Sequence, residues 1–63
     1  MTATRLIKLD EVKRLTGLGK TAIYKQIADG AFPRPAKVGA SSLWSEAEID
    51  EWIAATLEAR GAA

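Results

Sequence analysis

Residues 11–29, Glu11 to Asp29, read EVKRLTGLGKTAIYKQIAD. Within them Thr16-Gly17-Leu18-Gly19 is a hinge. Gly17 suits the left-handed position that ends a helix, and Gly19 is a weak but tolerable N-cap. On the near side of the hinge Leu9, Val12 and Leu15 recur every three residues and predict a helix over Leu9–Thr16. Asp10 and Glu11 fall in its first turn and Lys13 and Arg14 near its end, each where the helix dipole favours that charge. Its N-cap is poor, because neither Lys8 nor Leu9 can accept from the first amides. On the far side Ile23 and Ile27 are four apart and mark the inward face of a second helix, Lys20–Ala28, which Gly30 ends. At about 100° per residue, Thr21 and Lys25 lie about 160° and about 200° from Ile23, so both point outward. Ala22 and Tyr24 take the two flanks, and Lys20 stands in the first turn with a long reach. Ala28 is outward and too small to obstruct a close surface, and Leu18 is expected to plug the gap between the helices. Two short helices hinged in this way form a helix-turn-helix, a device for setting the second helix into the major groove of DNA.

Beyond the hinge pair the chain reads AFPRPAKVGASSLWS from Ala31. Pro33 and Pro35 forbid helix and predict an extended entry. Ala36-Lys37-Val38 and Leu43-Trp44 read as the arms of a small hairpin with the four-residue tip Gly39-Ala40-Ser41-Ser42. Phe32, Val38 and Trp44 should face the core, with Arg34 and Lys37 outside. A third helix follows. Ser45 and Glu48 make a capping box, and Ile49, Trp52, Ile53, Thr56 and Leu57 form one stripe. Gly61 is its stop, with a frayed tail to residue 63, and residues 1–4 should be loose. Between them, Arg5-Leu6-Ile7-Lys8-Leu9 is too short to stand alone as a strand and should pack Leu6 or Ile7 on the core. The expected core is Val12, Leu15, Leu18, Ile23, Ile27, Ile49, Trp52 and Ile53. The fold class is therefore mainly α: a small winged helix-turn-helix of three helices and a short β-hairpin, one domain over residues 1–63.

Composition narrows the chemistry. Sixty-three residues make one small domain, which buries only about 60% of its unfolded surface. No cysteine is present, so no disulfide or thiolate metal site can staple it. No histidine is present either, which removes the usual general base and the usual zinc ligand. No apolar run approaches the roughly 20 residues of a membrane span, and MTATRLIK lacks the apolar core of a signal peptide. A cytoplasmic, nucleoid-associated location with no membrane partner is the expectation. The net charge of +1 hides an asymmetry. Residues 1–44 hold eight cations against three anions, +5, and residues 45–63 hold one against five, −4. A compact fold of this chain has a basic side and an acidic side.

Lys20, Thr21, Ala22, Tyr24 and Lys25 are the candidate DNA-binding residues, joined by Arg34 and Lys37 near the hairpin. A helix entering a groove needs short polar groups that reach base edges and cations that meet phosphates. Thr21 can bond a base or touch a thymine methyl, Tyr24 offers a hydroxyl to a phosphate, and Lys20 and Lys25 can take phosphates or guanine acceptors. The bland alternatives are a solvated helix face with Tyr24 packed on a neighbour, and a hairpin that merely closes the core. Enzyme readings fare worse. Glu46, Glu48, Asp50 and Glu51 sit on one helix beside no cleft-forming element. The Gly19-Lys20-Thr21 triplet lacks the earlier glycine and the preceding buried strand of a P-loop. Neither catalysis nor a cofactor is expected.

Three motifs carry a family resemblance: T-G-L-x-K-x-x-I-Y-K at Thr16–Lys25, G-x-F-P-x-P-x-K-x-G at Gly30–Gly39, and W-S-E-x-E-I-D-x-W-I at Trp44–Ile53. In this order and spacing they resemble the AlpA family of small prophage and mobile-element DNA-binding regulators, related to winged-helix excisionases and MerR-type DNA-binding domains. The resemblance spans about Arg5 to Leu57. It implies a regulator or excision factor that binds double-stranded DNA in a sequence-specific manner, with its recognition helix at Lys20–Ala28 and its wing at about Lys37–Leu43. Two departures stand out. Gly19 replaces the usual Ser, and Ala40-Ser41-Ser42 replaces a wing that often carries Arg. The alternatives are an excisionase-type factor that bends DNA and contacts an integrase, and a protein-interaction adaptor using the acidic last helix. A homodimer or a cooperative array on DNA is expected, because so small a monomer offers few contacts.

Overall fold

The hinge is built as its glycine implies. In a computed structural model, which describes residues 4–61, Gly17 adopts φ 76° and its amide bonds Lys13 O at 2.8 Å. That closes α1 (Leu9–Thr16) in a left-handed turn. Thr16 then locks the turn: its hydroxyl donates to Val12 O at 2.8 Å and accepts from Leu18 N at 3.2 Å. Helix α2 (Lys20–Ala28) starts at Gly19. It ends in a Schellman motif, with Gly30 at φ 77°, Ala31 N on Gln26 O at 2.8 Å and Gly30 N on Ile27 O at 3.1 Å. Both helices have the bounds the sequence predicts. The expected looseness of residues 1–4 and 61–63 falls, at 1–3 and 62–63, outside the described residues.

Three strands complete the domain: β1 (Leu6–Ile7), β2 (Ala36–Val38) and β3 (Ser41–Ser45), ordered β1-β3-β2 and antiparallel throughout. Helix α3 (Glu46–Ala59) follows β3 directly. The architecture is a mainly helical winged helix-turn-helix, with three corrections. Residues 6–7 do form a strand, because Leu6 pairs with Ser45 and Ile7 with Trp44. A two-residue strand cannot stand alone, but it can complete a sheet. The hairpin tip is shorter than four residues: Val38 pairs with Ser41 and Lys37 with Ser42, leaving Gly39-Ala40 as the turn. Gly39 at φ 61° before a residue of negative φ is the pattern of a type II′ turn. Val38 does not face the core. It shares the outer sheet face with Ala36 and Leu43 and is 54% exposed.

The core is Ile7, Val12, Ile23, Phe32, Trp44 and Ile49, with Leu9, Leu18, Ile27, Trp52 and Ile53 packed around it. Leu15 is 39% exposed rather than buried. Apolar residues three apart slip by about 60° per step around a helix, so Leu15 turns off the face that Val12 buries. Trp44 is the central side chain, 0% exposed, and its indole donates to Pro33 O at 3.1 Å. Trp52, half-buried on α3, donates to Ala31 O at 2.7 Å and meets Phe32 edge-on at 4.8 Å. The two indoles thus satisfy carbonyls of the proline-rich segment, which has no ladder of its own. They fix where α2 leaves off and the wing begins.

Candidate nucleic-acid interface

Helix α2 presents Lys20, Thr21, Tyr24 and Lys25 at the surface, with Ala22 half-buried. Ile23 on the opposite side is fully buried, and Ile27 is partly so. The helix is therefore anchored by one face and open on the other. Its first turn has no acidic residue and no side-chain cap, since Gly19 carries no side chain. The first amides consequently meet solvent or an outside acceptor, and the positive end of the dipole lies beside Lys20.

Tyr24 is a shared case. Its ring packs edge-on against Trp44, with centroids 6.2 Å apart at 69°, yet the residue remains 38% exposed. The ring packs on the core's Trp44 and ties α2 to β3. Lys37 sits on β2 opposite Ser42 and is exposed, so the wing contributes one cation beside its uncharged turn. Arg34 is placed differently. It lines an open groove of about 630 Å³ with Phe32, Pro33, Trp52 and the α3 carboxylates Glu48 and Glu51. It thus lies among acidic groups.

The basic side is less uniform than the residue count implies. Arg5 forms a two-pronged pair with Glu46, Nη2 to Oε2 at 2.7 Å and Nε to Oε1 at 3.3 Å, while its carbonyl accepts from Glu46 N at 2.8 Å. The hydrogen bond from Arg5 holds the Glu46 carboxyl below its ordinary range, and the same bond raises the guanidinium. Arg14 lies 3.4 Å from Glu11. Sequence reasoning missed Thr16 as the hydroxyl that locks the hinge and Arg5–Glu46 as the tie between β1 and α3. The Thr-Gly pair at a helix end was a usable signal for the first. Nothing local could reveal the second, whose partners are 41 residues apart. Among the described residues no group of His, Cys, Asp and Glu could hold a metal, and no helix is long and apolar enough to cross a membrane.

Comparison with known proteins places the chain in a family. The family model described as prophage CP4-57 regulatory protein (AlpA) matches residues 5–57. The chain is 36% identical over 59 residues to the DNA-binding transcriptional activator AlpA of Escherichia coli (strain K12), covering 82% of this chain and 84% of that protein. It is 31% identical over 61 residues to the uncharacterized protein ORF88 of Enterobacteria phage P4, covering 95% of this chain and 69% of that one. No solved structure matches.

Proposed function

The chain belongs to the AlpA family of prophage regulatory proteins, and we propose that it regulates transcription from a prophage or mobile element by binding double-stranded DNA, with α2 in the major groove. The observation that carries this reading is the exposed face of α2. Thr21 and Lys25 stand outward, and Lys20 reaches out from the first turn, on a helix held from behind by Ile23 and Tyr24. A rigid helix with short polar and cationic outward groups can place a hydroxyl at a base edge and ammonium groups at flanking phosphates. Its uncapped N-terminus adds amides suited to a phosphate oxygen.

The roles divide accordingly. Lys20 and Lys25 neutralise backbone, Thr21 reads a base, and Ala22 permits close approach. Tyr24 offers its hydroxyl edge while its ring stays on Trp44. Lys37 is the wing's phosphate contact. Arg34, sharing a groove with Glu48 and Glu51, is the weakest member of the set.

Binding of duplexes from around the protein's own gene, measured against salt concentration, tests the reading. Lys25→Ala should weaken binding uniformly and reduce the salt slope by about 1, because one fewer counterion is released. Thr21→Ala should leave the salt slope intact and change which site is preferred. If both variants bind every duplex like the parent, α2 is not the reading head.

A further inference from the structure

Helix α3 outruns the core that holds it. Its first half is anchored by buried Ile49 and half-buried Trp52 and Ile53. From Ala54 to Gly61 every residue is exposed, and Leu57 keeps 51% of its surface open. Running from the anchored half into this projecting part, exposed Asp50, half-buried Ile53, and exposed Leu57 and Arg60 are spaced three, four and three apart. On a helix such positions lie along one seam, the spacing by which two helices pair. The seam has an apolar centre, an anion at one end and a cation at the other. Asp50 and Arg60 take no part in the ion pairs among the described residues, which join Arg5 to Glu46 and Arg14 to Glu11.

We propose that this seam is a self-association surface whose partner is the α3 of a second copy, packed antiparallel. Set antiparallel about a two-fold axis, Ile53 of each copy meets Leu57 of the other, and Asp50 of each meets Arg60 of the other. The pattern satisfies itself twice, as an isologous contact requires. A parallel arrangement would oppose Asp50 to Asp50 and Arg60 to Arg60, so charge selects the orientation. The neighbouring Glu51 and Glu58 make the helix acidic, which excludes phosphate backbone as the occupant.

About three helical turns give an interface smaller than the ~1,200 Å² of stable complexes, so the free dimer should be weak, with a dissociation constant on the order of 100 μM. Where the DNA reading holds, two copies on neighbouring sites meet at an effective concentration near the millimolar range, and weak pairing becomes cooperative binding.

Sedimentation equilibrium of the full chain without DNA, up to about 1 mM, tests the seam apart from the DNA reading. The parent should approach a dimer at the upper end. Leu57→Glu, at an exposed position, should keep its melting behaviour and stay monomeric. Asp50→Arg leaves cations at both ends of the seam and Arg60→Glu leaves anions at both ends. Each alone should self-associate about tenfold more weakly, while an equal mixture of the two should pair at least as well as the parent. A parent that stays monomeric, a dimer indifferent to Leu57→Glu, or reversed-charge chains that fail to pair with one another would each overturn the proposal.

Discussion

Helix α2 buries Ile23 completely and Ile27 in part, and α3 does the same with Ile49 and Ile53. Inside, the two helices are built alike. Outside they are opposed: α2 shows Lys20 and Lys25, and α3 shows Glu48, Asp50, Glu51 and Glu58. Their beginnings differ too. α3 is capped by Ser45, whose hydroxyl accepts from Glu48 N at 3.3 Å, whereas α2 begins at Gly19 with no side-chain cap. Burial identifies both helices as structural members and does not say which one meets a ligand. That distinction lies in outward charge and in which helix leaves its first amides open.

The shared half of the comparison breaks most heavily at Trp44. This indole touches Tyr24 of α2 and lies one residue before the cap of α3. Trp44→Ala should cost about 3–5 kcal/mol. The whole chain is expected to hold only about 3–9 kcal/mol, so this loss is a large share of the total and the variant should melt far below the parent. Trp52→Ala removes a half-buried ring and should cost less, roughly 2 kcal/mol. Thermal melting followed by circular dichroism separates the two, and a Trp52 variant less stable than the Trp44 variant would move the centre of the core to α3.

The next effect concerns α3 alone. Ser45→Ala removes its cap and should cost about 1 kcal/mol. Beside it, Glu46 is bonded to Arg5 and its carboxyl lies below the ordinary range. A depressed carboxyl stabilises the fold at pH values above its unfolded pKa, and that contribution disappears as pH falls through the lower folded value. Melting temperature should therefore fall on acidification through that window, and Glu46→Gln should flatten that part of the profile. No matching acid-sensitive tie is expected at the start of α2, which has no acidic residue in its first turn.

Local signals in the sequence account for both helices of the hinge, because Gly17, Gly19 and Gly30 punctuate them within a few residues of the apolar positions they bound. The third helix was equally legible from Ser45 and its stripe. What escaped was long-range. Strand β1 exists only because Ile7 meets Trp44, and two residues cannot show a period of two. Ser41 and Ser42 look like turn residues but pair with Val38 and Lys37, which shortened the expected tip. Leu57 continues the α3 stripe faithfully and still lies in the open, because a stripe records helix geometry and not how far the core extends. At the candidate site the outward residues of α2 could be read by counting. That Arg34 would line one groove with Glu48 and Glu51, and that Arg5 would pair with Glu46, depended on packing that no neighbouring residue announces.

The smallest expected effect bears on the caps directly. Gly19 has φ −83° and ψ 170°, an extended conformation open to any residue, and a Cβ built there meets nothing within 4 Å. Gly19→Ser therefore brings neither strain nor clash, and its hydroxyl can accept from the amide of Thr21 or Ala22. A serine in place of glycine at an N-cap is worth a few tenths of a kcal/mol, which in a domain of this size raises the melting temperature by about 1–3 °C. Ser45→Gly should lower it by a similar amount, and together the two substitutions give α2 the cap that α3 has lost. If the open amides of α2 serve phosphate, Gly19→Ser should leave DNA affinity equal or tighter, since a hydroxyl can also donate to a phosphate oxygen. A Gly19 variant that melts earlier than the parent would mean that the first turn of α2 is held by contacts a side chain disturbs, and the contrast between an open and a closed helix start would fail.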